Sequence, residues 1–158
     1  MTFNPDQFMT QPADPMQTVY ENIKEGEYTM MLDTEIEFNE MKWNDKNTGE
    51  PRSLPQMTLS CIVQDGGLGA QEKARLGRDK LTVRLQLPLD VTPSGTLDFG
   101  PNKNIRLGQL RDALGQNVPG WTPNLLRGAG PFIGKVTHRA DKNDPTKKYA
   151  EVAKIAKA

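Results

Sequence analysis

The chain has 158 residues, of which 35% are hydrophobic, and this suits one domain with a single core of modest size. No stretch approaches the roughly 18 apolar residues of a membrane-spanning helix, and the N-terminus lacks a basic region followed by an apolar one. The single cysteine cannot form an internal disulfide. We therefore expect an intracellular protein that has no membrane association.

Charge is unevenly distributed along the chain, although the net charge is zero. Residues 1–65 hold 4 basic and 12 acidic side chains, a net −8, while residues 66–158 hold 16 and 8, a net +8. This polarity has two interpretations. Either the second half binds an anionic partner, or the two halves neutralise each other within one fold.

The chain begins with a segment that is poor in hydrophobic periodicity. Residues 1–25 carry three prolines among polar residues and are predicted to form an irregular, mobile arm, with a short helical turn at Met16–Ile23. The first strand is predicted at Tyr28–Phe38, where the even positions are apolar apart from Thr34. Because this strand would be roughly 36 Å long, we expect it to bend and to pair with neighbours at both ends.

A polar connection from Asn39 to Pro55 is rich in turn-forming residues and is predicted to be a long hairpin loop. Trp43 is its one large aromatic residue. This ring could cover the edge of the core, or it could be a stacking platform flanked by Lys42 and Lys46.

Two further strands are predicted at Gln56–Gln64 and Leu81–Leu87 from the same alternation, which directs Cys61 into the core as an inert thiol. The link between them, Asp65–Lys80, contains a helix-forming segment at Ala70–Leu76 and several basic residues. These basic side chains are either a solvated face or contacts for phosphate.

The most persuasive helix is Asn104–Gly115, with Leu107, Leu110 and Leu114 on one stripe. Asn104 is the predicted N-cap and Gly115 the predicted helix stop. After this helix, Pro123 is expected to start a short helical turn, and Trp121 is expected to seal the core beneath the helices.

The last two strands are predicted at Phe132–Arg139 and Tyr149–Ala158, joined by a polar hairpin loop at Ala140–Lys148. In the final strand the apolar residues recur every three positions, so we predict a strand with a bulge. His138 is the chain's single histidine, which argues against a histidine-rich metal site.

The predicted order is three strands, a helix and two strands, which makes the fold class mainly β. A five-stranded Greek-key barrel with its helix between strands 3 and 4 is the OB-fold. We therefore predict an irregular arm at residues 1–25 and an OB-fold nucleic-acid-binding domain at residues 26–158. An unrelated α+β sandwich is the alternative to this architecture.

Three segments resemble phage-encoded single-stranded-DNA-binding proteins of OB-fold type: Gly26–Tyr28, Lys46–Pro51 and Leu107–Gly115. The resemblance covers roughly residues 24–156. It implies binding of exposed single strands during phage DNA replication or recombination, without catalysis, in the cytoplasm of the infected host cell. The final segment, Lys154–Ala158, lacks the acidic tail with which many such proteins recruit replication or recombination partners.

Two functions of different class are consistent with these patterns. The first is single-stranded DNA binding without strong sequence preference, and the second is a phage structural or protein-interaction module built on the same barrel. An enzyme is not expected, because the sequence shows no nucleophile with its base, carboxylate pair or metal cluster. No cofactor is expected either. The candidate nucleic-acid-binding residues are basic or aromatic: Lys42, Trp43, Lys46, Arg52, Arg84, Lys135, Arg139, Lys147, Lys148 and Tyr149.

Overall fold

A computed structural model describes residues 2–18 and 21–158 of the chain, and five strands form most of its regular structure. The strands are β1 (Gly26–Asn44), β2 (Pro51–Val63), β3 (Thr82–Pro88), β4 (Phe132–Ala140) and β5 (Lys148–Lys157). The α-helices are α1 (Pro5–Met9), α2 (Leu68–Leu76) and α3 (Ile105–Ala113), and a 3-10 helix spans Pro123–Leu126. The helix predicted in the link before β3 is confirmed as α2.

The five strands form one closed sheet in the order β1-β2-β3-β5-β4. Neighbouring strands are antiparallel, except that β3 and β5 are parallel. Helix α3 connects β3 to β4, and its stripe packs inward with Leu107 and Leu110 buried and Leu114 partly buried. The mainly β composition and the position of the helix between strands 3 and 4 are therefore confirmed.

The ends of α3 differ in how well they were predicted. Gly115 has a φ of 70°, and the N–H groups of Gly115 and Gln116 donate to Asp112 and Arg111, which ends the helix as expected. Asn104 occupies the N-cap position, as predicted, but its side chain makes no capping hydrogen bond to the helix. Its side chain instead forms hydrogen bonds with the backbone of Asp90 and Asp98. It therefore stabilises the loop between β3 and α3 rather than the first turn of the helix.

β1 bends and changes partners, as predicted. It pairs with β4 from Gly26 to Met30 and with β2 from Met30 to Asn44, and the register shifts between Leu32 and Ile36. Tyr28, Met30 and Leu32 are buried, but Phe38 is 63% exposed. The prediction that Phe38 lies in the core is wrong, because β1 has by then extended past the closed part of the sheet.

The prediction of a long hairpin loop at Asn39–Pro55 is also wrong. The β1–β2 ladder continues to the pair Asn44 and Pro51, so only residues 45–50 form the turn. Asp45 stabilises this turn by accepting hydrogen bonds from the N–H groups of Asn47 and Thr48. Trp43 consequently lies in β1, opposite Arg52, rather than in a loop.

The bulge predicted in the last strand is confirmed. Lys135 pairs with Lys154, whereas the next residue of β4, Val136, pairs with Val152, so Ala153 is an extra residue in β5. The insertion lets both Val152 and Ile155 contact the core despite their spacing of three.

The N-terminal arm contains one helix, α1, whose N-terminus is capped by the Asn4 side chain. Residues 2–18 are all exposed, and the helical turn predicted at Met16–Ile23 is absent from the described residues of that range; Val19 and Tyr20 lie outside the description. Ile23, by contrast, is buried. Glu72 of α2 holds the neighbouring Lys24 by accepting its N–H at 2.6 Å.

Candidate nucleic-acid interface

An open cleft of about 660 Å³ lies across the outer faces of β2, β3 and β5. Ser60, Arg84 and Glu151 lie side by side on these three strands, since Arg84 pairs with Ser60 on one side and with Glu151 on the other. The β4–β5 loop, residues 141–147, borders the cleft at one end. The parallel pairing of β3 with β5 therefore brings the third and last strands together into one surface.

Three basic side chains line this cleft. Arg84 projects from β3, Arg139 from the end of β4, and Lys142 from the loop. Arg139 lies 4.0 Å from Glu151, and both side chains are substantially exposed, so the ion pair holds Arg139 only weakly. The three cations therefore give one end of the cleft a local positive charge.

Tyr149 supplies an aromatic surface in the same cleft, and its side chain is 54% exposed. Its hydroxyl donates to Oδ2 of Asp141 at 2.8 Å, which raises the pKa of Tyr149 above its ordinary value. The other carboxylate oxygen, Oδ1, accepts the N–H groups of Asn143 and Asp144. The hydrogen bonds to Asp141 lower its pKa below the ordinary value, and the bond from the Asn143 N–H has the largest effect. Asp141 thus fixes both the loop and the tyrosine.

A second group of predicted residues meets at the tip of the β1–β2 hairpin. Lys42, Trp43 and Arg52 line a shallow depression of about 550 Å³. Trp43 is 42% exposed, which leaves part of the ring accessible for stacking. Lys42 lies 3.7 Å from Glu40, and Arg52 lies 3.7 Å from Asp45, so both cations have acidic neighbours. Lys46 lies in the turn that follows.

The hairpin tip and the β4–β5 loop lie at opposite ends of β3. Pro88, the last residue of β3, pairs with Gln56 on the tip side, while Thr82 pairs with Ile62 at the other end. Because β5 runs parallel to β3, its first residues lie at the Thr82 end. The two hairpins therefore flank the outer face of β2 and β3 from its two ends.

The remaining predicted residues are more scattered. Lys135 lies in a separate depression of about 270 Å³ with Lys154 and Glu27, outside the cleft. Lys147 ends the β4–β5 loop and Lys148 begins β5, and both are exposed. The sequence reasoning missed Lys142 and the positioning role of Asp141. An available signal was the Asp141-Lys-Asn143 spacing, which is typical of an Asx-turn.

Cys61 and His138 both lie outside the cleft, Cys61 in the core and His138 partly buried against the segment around Ile23. Cys61 is fully buried, and burial raises the pKa of its thiol to about 12. His138 contacts the Ile23 carbonyl through Nε2 at 2.6 Å, which is a structural contact. Across residues 2–18 and 21–158, no cluster of three or more His, Cys, Asp or Glu side chains is arranged to hold a metal ion.

No protein-family model, curated protein or solved structure matches the chain significantly. None of the helices in the described ranges is long and apolar enough to cross a membrane.

Proposed function

We propose that the closed sheet is a Greek-key OB-fold barrel and that the protein binds single-stranded DNA without strong sequence preference, protecting exposed strands in phage replication or recombination. The observation that carries the proposal is the cleft itself: Arg84 of β3, Arg139 of β4 and Tyr149 of β5 line it together. OB-folds bind oligonucleotides on the face of strands 2 and 3, together with the β1–β2 and β4–β5 loops.

The side chains in the cleft suit a flexible, negatively charged strand with exposed bases. Cations there would neutralise phosphates, and the exposed face of Tyr149 would stack on a base. Both interactions are insensitive to base identity, because every nucleotide has a phosphate and a π-face. Trp43 at the hairpin tip would extend the stacking surface toward the other end of the strand.

Fluorescence polarisation of labelled oligo(dT), compared with duplex DNA of equal length, tests the proposal. The single strand should bind more tightly. If about three or four phosphates are neutralised, the slope of log K against log salt should be roughly −2 to −3. A protein that binds neither nucleic acid at low salt would refute the proposal, and equal affinity for both would refute the stacking mechanism.

Substitutions can locate the binding surface. Arg84→Gln and Arg139→Gln remove one cation each from the cleft and should weaken oligo(dT) binding, with a flatter salt slope by about 0.7 per lost contact. Lys135→Gln is the matched control, because it removes the same charge from a different depression. A larger effect at Lys135 than at either arginine would place the strand elsewhere.

The second candidate function is that of a phage structural or protein-interaction module. The observation favouring it is the arm, where Phe3, Phe8, Met9 and Met16 are 58–78% exposed. Apolar side chains clustered on an exposed segment are typical of a surface that contacts another protein. Affinity for oligo(dT) that survives removal of residues 2–18 would assign DNA binding to the barrel and leave the arm for partners.

A further inference from the structure

At its hairpin end, one edge of β1 has no neighbouring strand among residues 2–18 and 21–158. β4 covers β1 only as far as Met30, and the Ala129 carbonyl and the Arg127 side chain then bond Leu32 and Thr34. Beyond Thr34, β2 is the only described segment that hydrogen-bonds the backbone of β1. Phe38 is 63% exposed, and the side chains of Glu40 and Lys42 are 62% and 75% exposed, so the edge is open to solvent.

The alternation of the ladder shows which backbone groups lie on this edge. The Leu89 N–H donates to the Pro55 carbonyl, so Pro55 presents its backbone to the side away from β1, and Leu54 and Gln56 present theirs to β1. Their partners are Met41 and Asn39. The backbone groups of Phe38, Glu40 and Lys42 therefore point outward from β1.

The two edges of the hairpin differ in their protection against pairing. On the outer edge of β2, the outward positions Pro51 and Pro55 have no N–H group to donate. On the outer edge of β1, each outward position between Phe38 and Asn44 keeps both its N–H and its C=O. Proline protects one edge and leaves the other available to a further strand.

The side chains on the free edge are complementary to a second copy of themselves. In an antiparallel two-fold pairing centred on Met41, each Glu40 lies directly opposite the second copy's Lys42. Shifting the centre to Glu40 would place two carboxylates opposite each other, and centring on Asn39 would place Glu40 opposite Phe38. The paired segment would run from Phe38 to Asn44, since the next position sets Glu37 against Asp45.

We propose that two copies of this chain associate through the free edge of β1, with Met41 of each copy at the two-fold axis. The pairing joins two β1–β2 hairpins into one four-stranded ribbon. Its stabilisation comes from main-chain hydrogen bonds and two Glu40–Lys42 ion pairs rather than a large apolar surface. Dimerisation should accordingly depend on concentration and weaken with salt. The proposal does not depend on nucleic-acid binding.

Cysteine cross-linking tests the register. Directly opposite residues in a non-hydrogen-bonded antiparallel pair lie about 4.5 Å apart between Cα atoms, within the disulfide range of about 4.4–6.8 Å. Met41→Cys should therefore give a disulfide-linked dimer on mild oxidation. Asn39→Cys is the control on the same face, because its two copies would lie roughly 14 Å apart. Equal or stronger cross-linking at Asn39 would overturn the proposal, and native Cys61 is buried and does not compete.

Charge exchange tests the contacts without cysteine. In sedimentation velocity over a dilution series, the 17.6 kDa chain should shift between monomer and dimer. Glu40→Lys and Lys42→Glu should each shift the dissociation constant upward by at least several-fold, because each sets like charges opposite each other. The double exchange Glu40→Lys/Lys42→Glu should restore the dimer. A wild-type monomer at every concentration, or a double variant no better than the singles, would overturn the proposal.

Discussion

Replacing Glu72 by glutamine should destabilise the protein, because this carboxylate joins the end of the N-terminal arm to α2. Its side chain is 2% exposed and accepts three hydrogen bonds: from the Lys24 N–H at 2.6 Å and from Nε and Nη2 of Arg75 at 2.8 and 2.7 Å. Arg75 also donates to Glu21 and to the Asn22 carbonyl. The cluster therefore fixes residues 21–24 beside the core residue Ile23.

The size of the effect follows from these bonds. Glutamine keeps one oxygen for the Lys24 N–H, but its amide NH₂ group cannot accept from Arg75. A hydrogen bond to a charged group contributes about 1.5–3 kcal/mol, and breaking a fully buried ion pair costs about 3–5 kcal/mol. Arg75 keeps its other partners and remains partly in water, so we expect a loss near 2–3 kcal/mol in urea unfolding at pH 7.

The pH dependence provides an independent check. The Arg75 hydrogen bonds hold the pKa of Glu72 below its ordinary value. A carboxylate with a lowered folded pKa contributes stability above its unfolded pKa, about 4.3, and loses it as pH falls through the folded pKa. Glutamine does not titrate, so the stability gap between wild type and Glu72→Gln should close below about pH 4.

A surface ion pair beside α2 is the control. Asp65 lies 2.8 Å from Lys73 of α2, but its side chain is 82% exposed. Asp65→Asn should therefore cost at most about 1 kcal/mol at pH 7. Equal losses for the two variants, or a stability gap between wild type and Glu72→Gln that persists unchanged at pH 3, would refute the conclusion that the Glu72 carboxylate joins the arm to α2.

Three further outcomes are expected. Leu110→Ala should lower the free energy of unfolding by about 2–5 kcal/mol, because Leu110 is fully buried under the closed sheet; a change below about 1 kcal/mol in urea unfolding would contradict this. Trp43→Ala should weaken oligo(dT) binding by about 1–3 kcal/mol with little change in thermal midpoint. In a Trp121→Phe background, which removes the second indole, oligo(dT) should quench the fluorescence of Trp43. Cys61 should resist a thiol reagent in the folded protein at pH 8 and react on unfolding, since burial raises its pKa to about 12; rapid labelling of the native protein would refute its burial.

The sequence predicts the closed core well, because alternation is a direct consequence of a strand with one buried face. Buried residues such as Leu59, Cys61 and Val83 follow it. It predicts strand length poorly. From Asn39 to Asn44, β1 is held by main-chain hydrogen bonds, which any residue but proline can donate. Because the side chains there are mostly polar, the alternation did not predict these six further residues of strand. Phe38 was misassigned for a different reason: it follows the alternation, but β1 has by then extended past the closed part of the sheet.

The candidate site was predictable one strand at a time but not as a surface. Arg84 and Arg139 were identified as outward-facing basic residues, yet nothing in the local pattern shows that β3 pairs with β5. That neighbour relation places Tyr149 in the same cleft as Arg84. The Asp141-Lys-Asn143 spacing signals the turn at Asp141, but it does not specify the hydrogen bond by which Asp141 holds Tyr149 across the loop.

The basic residues of the second half fall into two groups: those that pair with acidic residues of the first half, and those that do not. Several basic residues of the link between β2 and β3 pair with acidic residues of the first half: Lys73 with Asp65, Arg75 with Glu21, and Lys80 with Asp33. Arg84 and Arg139 in the cleft form no ion pair with a described acidic residue of the first half. Three cations of the link that had been a candidate for phosphate contact are therefore neutralised internally. The cleft cations Arg84, Arg139 and Lys142 remain exposed where β3, the end of β4 and the β4–β5 loop meet.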